Sequence, residues 1–162
     1  MPAVVEAPEG AVGSLASDYG PRFSEVPLNV MHGDERAFFE SFVEPAKRRR
    51  YVELLGSKRG RGKICSSLDH FKDLDMRFCQ LVKPAEQNPT NTLRILRALG
   101  AGRMCHVMSS ARSLDGRDME LEEALRETIG GGSGAIVSCV PGTLAYFESE
   151  ERKTRYVCHR RT

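Results

Sequence analysis

Between Lys47 and Lys63 stand eight basic residues, Lys47, Arg48, Arg49, Arg50, Lys58, Arg59, Arg61 and Lys63, against one acid, Glu53. The segment charge is +7 in a chain of net +2, so the remainder carries −5 and the positive charge is a local property. Cations at this density suit a phosphate backbone or an acidic protein surface, and Gly60 and Gly62 would let such a backbone approach closely. Four consecutive residues of a helix cannot all face one ligand, so a solvated surface, or pairing with acids of the other half, accounts for the same charges. Helix, glycine turn and helix also share the outline of a helix-turn-helix, but ICSSLDHF has few side chains able to read base edges.

Four other groups could do chemistry. Asp69, His70, Asp73 and Asp75 in LDHFKDLD place two carboxylates one helical turn apart with an imidazole between, the donor types for a divalent cation or an acid and base pair. Capping and surface pairing explain the acids more cheaply, and no metal or cofactor is called for. Cys105-His106 and Cys158-His159 offer a thiol and an imidazole each, but adjacent strand residues point to opposite faces, so a site would need one member from each strand, as Cys105 with His159.

GGGSG at Gly130 to Gly134 has the composition of a phosphate loop in the wrong order, helix then loop then strand, and reads as a helix stop and connector. Ser109, Ser110, Asp115, Arg117 and Asp118 form a polar loop after a strand, a common place for binding residues, with no catalytic spacing.

The elements that position these groups follow from periodicity. Residues 1–33 are rich in Ala, Gly, Pro and Ser and read as a flexible arm, in which Pro27, Leu28 and Met31 could act as a strap; residues 34–162 read as one domain. Asp34 can cap a helix carrying Phe38, Phe39, Phe42 and Val43, and Pro45 opens a second helix to about Leu55. A basic loop leads to a helix with Ile64, Cys65, Leu68 and Phe71 at helical spacing. Met76 to Val82 leans to a strand ended by Pro84.

Thr90 or Asn91 caps a helix with Leu93, Leu96 and Leu99 on one side and Gly100 at its end. Residues 103–109 read as a strand, Asp118 as the cap of a helix with Leu121, Leu125 and Ile129 inward, and AIVSCV as a central strand. Pro141-Gly142 is a type II turn leading to strands at Leu144 to Glu148 and Thr154 to His159. The expected fold is α+β, with a small antiparallel or mixed sheet of about three to five strands, mostly within residues 103–160, packed with helices from the N-terminal half.

Five widely spaced cysteines without a CxxC pair read as reduced, buried thiols. With no long apolar run and no secretory leader pattern, the expected location is cytoplasmic, with no membrane partner.

The leading functional expectation is a non-enzymatic binding or regulatory protein whose segment 47–63 contacts nucleic acid or an acidic partner. The alternatives are a small enzyme with a His/Asp or Cys/His site, and an adaptor or homodimer acting through a sheet edge or an apolar patch.

Overall fold

The structure, a computed structural model, describes residues 33–150 and 154–161. The N-terminal arm and its strap, and most of the charged turn before the last strand, lie outside the described residues. Three helices come first, α1 (Gly33–Phe42), α2 (Pro45–Leu55) and α3 (Lys58–Ser67). They are followed by β1 (Cys79–Leu81), α4 (Pro89–Ala98), β2 (Met104–Ser109), β3 (Arg117–Glu120), α5 (Leu121–Thr128), β4 (Ala135–Val140), β5 (Leu144–Ser149) and β6 (Thr154–His159).

The strands form one antiparallel sheet in the order β1-β6-β5-β4-β2-β3. It has six strands, more than the three to five expected. The class is α+β, and among the described residues no helix is long and apolar enough to cross a membrane.

Strand alternation gives the sheet two apolar faces, each covered by helices. On one face Met108, Ile136, Ala145, Phe147 and Cys158 pack with Phe38, Phe39, Phe42, Ile64 and Leu68 from α1, α3 and the turn after it. On the other, Cys105, Val107, Val137, Leu144, Tyr146 and Val157 pack with Leu96 of α4 and Leu121, Ala124 and Leu125 of α5. The first layer is aromatic: Phe39 stacks on Tyr51 with ring centroids 5.2 Å apart, and Phe71 bridges Phe39 and Phe147. Each such ring contributes about 1.5–3 kcal/mol by leaving water.

Four local readings need correction. Asp34 does not cap the first helix but lies within the first turn of α1, which begins at Gly33. KRGRGK is not a loop but the first two turns of α3, because Ser57 accepts a hydrogen bond from Gly60 N and supplies the cap. Gly60 serves packing there, since a Cβ would stand 2.1 Å from the Leu54 carbonyl oxygen of α2. Asp118 is not a helix cap; it lies in β3, where Met119 is the one buried residue of RDME and too weak a signal to announce a strand. The cap of α4 is Asn88, which accepts from Asn91 N with Pro89 at the first helical position.

Of Met76 to Val82 only Cys79–Leu81 is extended. Pro141-Gly142 does make the expected turn, with Gly142 at φ +68° and Thr143 N donating to the Val140 carbonyl.

Candidate functional site

The sheet's alternation sends His106 of β2 toward the α1–α3 layer while its neighbour Cys105 goes into the opposite core. Antiparallel register places Asp118 of β3 directly across from His106, and its Oδ1 lies 2.7 Å from His106 Nδ1. The other ring nitrogen, Nε2, lies 2.9 Å from Glu35 Oε1, in the first turn of α1. A protonated imidazole donates on both sides in this arrangement.

Glu35 is held in turn by Arg61 of α3 through Nε at 2.9 Å and Nη2 at 2.6 Å. The same guanidinium donates to both oxygens of Asp115 at 2.7 and 2.8 Å, and Asp115 accepts from Ser109 N at 3.0 Å. The chain Asp118, His106, Glu35, Arg61, Asp115 therefore joins two helices to the β2–β3 hairpin. It runs from a largely exposed carboxylate, with Asp118 at 77% side-chain exposure, to a sealed interior, with Glu35 at 1%.

The electrostatics follow from that burial. Desolvation by itself would raise the Glu35 pKa, but hydrogen bonds from His106 and Arg61, and their charges, outweigh it and hold the carboxyl at about 2. Burial would likewise lower the His106 pKa, and its bonds to Glu35 and Asp118 reverse the sign and raise it. Asp34, beside Glu35, is pushed up by burial and by the neighbouring carboxylates Asp118 and Glu35, against a lowering by His106. Cys65, in reach of Arg61 and Asp115, is pushed up to about 12 by burial and then by the Asp115 charge.

The basic segment is divided by the fold. Lys47 pairs with Asp73 at 2.6 Å and with Glu44, and Arg48 donates to the Val43 carbonyl at 2.8 Å and reaches Asp75 at 3.3 Å. Arg49 pairs with Glu53 one turn along α2, and Arg61 is consumed in the buried chain. Among the described residues no carboxylate pairs with Arg50, Lys58, Arg59 or Lys63. Arg59 and Lys63, one turn apart on the exposed side of α3, line a shallow groove with Gly62, Ser66, Ser67 and His70.

The other groups disperse. Asp69 accepts from Ser110 Oγ and Gly134 N, both at 2.6 Å, and so ties the turn after α3 to the loops at the ends of β2 and β4. Asp73 binds Lys47 and the Tyr51 hydroxyl, and Asp75 binds Arg48 and Arg77. Cys105 and His159 are kept apart by β4 and β5, about 14 Å at three strand spacings. Cys158 meets Cys79 instead, Sγ to Sγ at 3.5 Å, and all five thiols are free, with Cys79 and Cys139 half-buried.

Of the polar loop residues, Ser109, Asp115 and Asp118 do converge with His106. Asp34 and Glu35 are the members that sequence reasoning did not single out as site residues. The available signal was the β2–β3 register, which pairs His106 with Asp118 once RDME is taken as a strand. Comparison with protein-family models, curated proteins and solved structures finds no match for this chain.

Proposed function

We propose that this chain is a non-enzymatic binding protein that holds the phosphate backbone of a nucleic acid on the exposed side of α3, through Lys58, Arg59 and Lys63. The observation that carries this reading is the groove shared by Arg59, Lys63, Gly62, Ser66 and Ser67, whose two cations no described acid neutralises. Gly62 keeps the surface between them low, and a Cβ there would meet nothing within 4 Å. Cations without base-reading side chains predict affinity for the backbone and little sequence preference.

Three phosphate contacts set the magnitude. Affinity for duplex should fall with a log–log salt slope of about −2.7, roughly 40-fold between 50 and 200 mM salt. The test is binding of labelled duplex DNA, single-stranded DNA and RNA across a salt series. The Arg59→Glu/Lys63→Glu variant is compared with Arg94→Glu/Arg97→Glu, which makes the same charge change on α4 across the sheet. Selective loss in the α3 variant, still folded by circular dichroism, supports the reading. Equal loss in both variants, or no binding by the parent at low salt, refutes it.

A further inference from the structure

We infer that Asp34, His106 and Asp118 form a binding site for one divalent transition-metal cation, Zn²⁺ or Mn²⁺. One ligand atom from each of the three residues lies within 4.8 Å of the other two. Ligand atoms around a tetrahedral ion with bonds of about 2.1 Å sit about 3.4 Å apart, so His106 Nδ1 and Asp118 Oδ1, now 2.7 Å apart, open by roughly 0.7 Å while the wider pairs, within 4.8 Å, close by up to about 1.4 Å. One imidazole nitrogen and two carboxylates are the donor set that such ions accept.

The orientation of His106 is the stronger argument. Its Nε2 is engaged by Glu35 at 2.9 Å, which leaves Nδ1 as the atom aimed at Asp118 and toward solvent. A histidine that ligates a metal through one nitrogen and donates from the other to a fixed carboxylate is the usual outer arrangement of a metal site. Glu35 is fixed here with unusual thoroughness, by two hydrogen bonds from Arg61, itself clamped by Asp115. On binding, the ion takes the Nδ1 lone pair and the proton shared with Asp118 leaves to solvent.

Charge and access agree with this assignment. Once His106 has lost its proton, the carboxylates of Asp34, Glu35, Asp115 and Asp118 face Arg61 as the one cation of the cluster among the described residues, a surplus of three negative charges of which a divalent ion offsets two. Asp34 makes no hydrogen bond or salt bridge among the described residues, although it stands beside His106 and Asp118. The network does not use it as a structural partner, and an entering ion would. The exposed Asp118 leaves the approach open from outside.

That asymmetry supplies the test. The full chain, stripped with a chelator, is titrated calorimetrically with Mn²⁺ and separately with Zn²⁺, beside Asp34→Asn and Asp118→Asn. The expected result is one ion per chain, a melting temperature raised by the ion, and at least tenfold weaker binding in Asp34→Asn. In chelator that variant should melt as the parent does, because Asp34 is no partner in the ion-pair chain. Asp118→Asn should also lose at least tenfold in affinity. The inference is overturned if the parent takes up neither ion. It is equally overturned if Asp34→Asn binds within threefold of the parent, which would place the ion elsewhere, for instance on the Cys79 and Cys158 thiols.

Discussion

Replacing Arg61 with methionine removes a cation that faces two carboxylates from elements far apart in the chain, Glu35 and Asp115, separated from it by 26 and 54 residues. The aliphatic stem survives in methionine, so the loss is electrostatic and hydrogen-bonding in origin. Breaking a buried pair by deleting one partner costs about 3–5 kcal/mol, because a charge is left buried without compensation. The lower end applies here: Glu35 keeps His106 and Asp115 keeps the Ser109 amide.

A loss of about 3 kcal/mol corresponds to a melting temperature lower by roughly 6–12 °C in a chain of this length. Urea unfolding followed by circular dichroism should show a lower midpoint with an unchanged slope. Arg59→Met, on the exposed side of the same helix, should stay within about 0.5 kcal/mol of the parent. A cycle with Glu35→Gln should return a coupling energy of at least about 1 kcal/mol, since the two side chains share hydrogen bonds. Arg61→Met within about 1 kcal/mol of the parent, or additive with Glu35→Gln, would refute the account of Arg61 as a structural tie.

Glu35 has a folded pKa of about 2, below its ordinary 4.5, so its stabilisation is complete above pH 4.5 and disappears as pH falls toward 2. Acid titration of stability in chelator should therefore lose about 3 kcal/mol over that window in the parent, and Glu35→Gln should flatten the limb. His106 is shifted the other way, above 6.5, so its contribution is present below pH 6.5 and fades as pH rises through the folded value. His106→Gln should flatten the alkaline side of the same profile.

Gly60→Ala forces a Cβ to within 2.1 Å of the Leu54 carbonyl oxygen and should cost at least about 2 kcal/mol, while Gly62→Ala meets open space in a helix interior and should gain about 0.5–1 kcal/mol. Thermal melts of the pair decide whether α3 packs on α2 as described. Burial raises the Cys139 thiol and pushes Cys65 and Cys105 up to about 12, so these three should alkylate slowly at neutral pH in native protein and at once in urea.

Sequence periodicity by itself determined the elements that carry their own local signal. AIVSCV is a continuous apolar run, Leu121, Leu125 and Ile129 repeat at helical spacing, and Pro141-Gly142 leaves few backbone alternatives, so these segments were legible without partners. β3 was not, because RDME presents one apolar residue and becomes a strand through its ladder with β2. The helix over KRGRGK was not either, since two glycines and four cations have no apolar period, and Ser57 together with the Gly60–Leu54 contact sets it.

The charge excess of segment 47–63 was plain from composition, but which cations remain available was decided by acids distant in sequence. Glu35 and Asp115 take Arg61, and Asp73 and Asp75 take Lys47 and Arg48. His106 meets Glu35 across 71 residues and Asp118 across 12. A residue's type states what it can donate or accept; its partner is chosen by the packing of α1 and α3 on the sheet, which no local window contains.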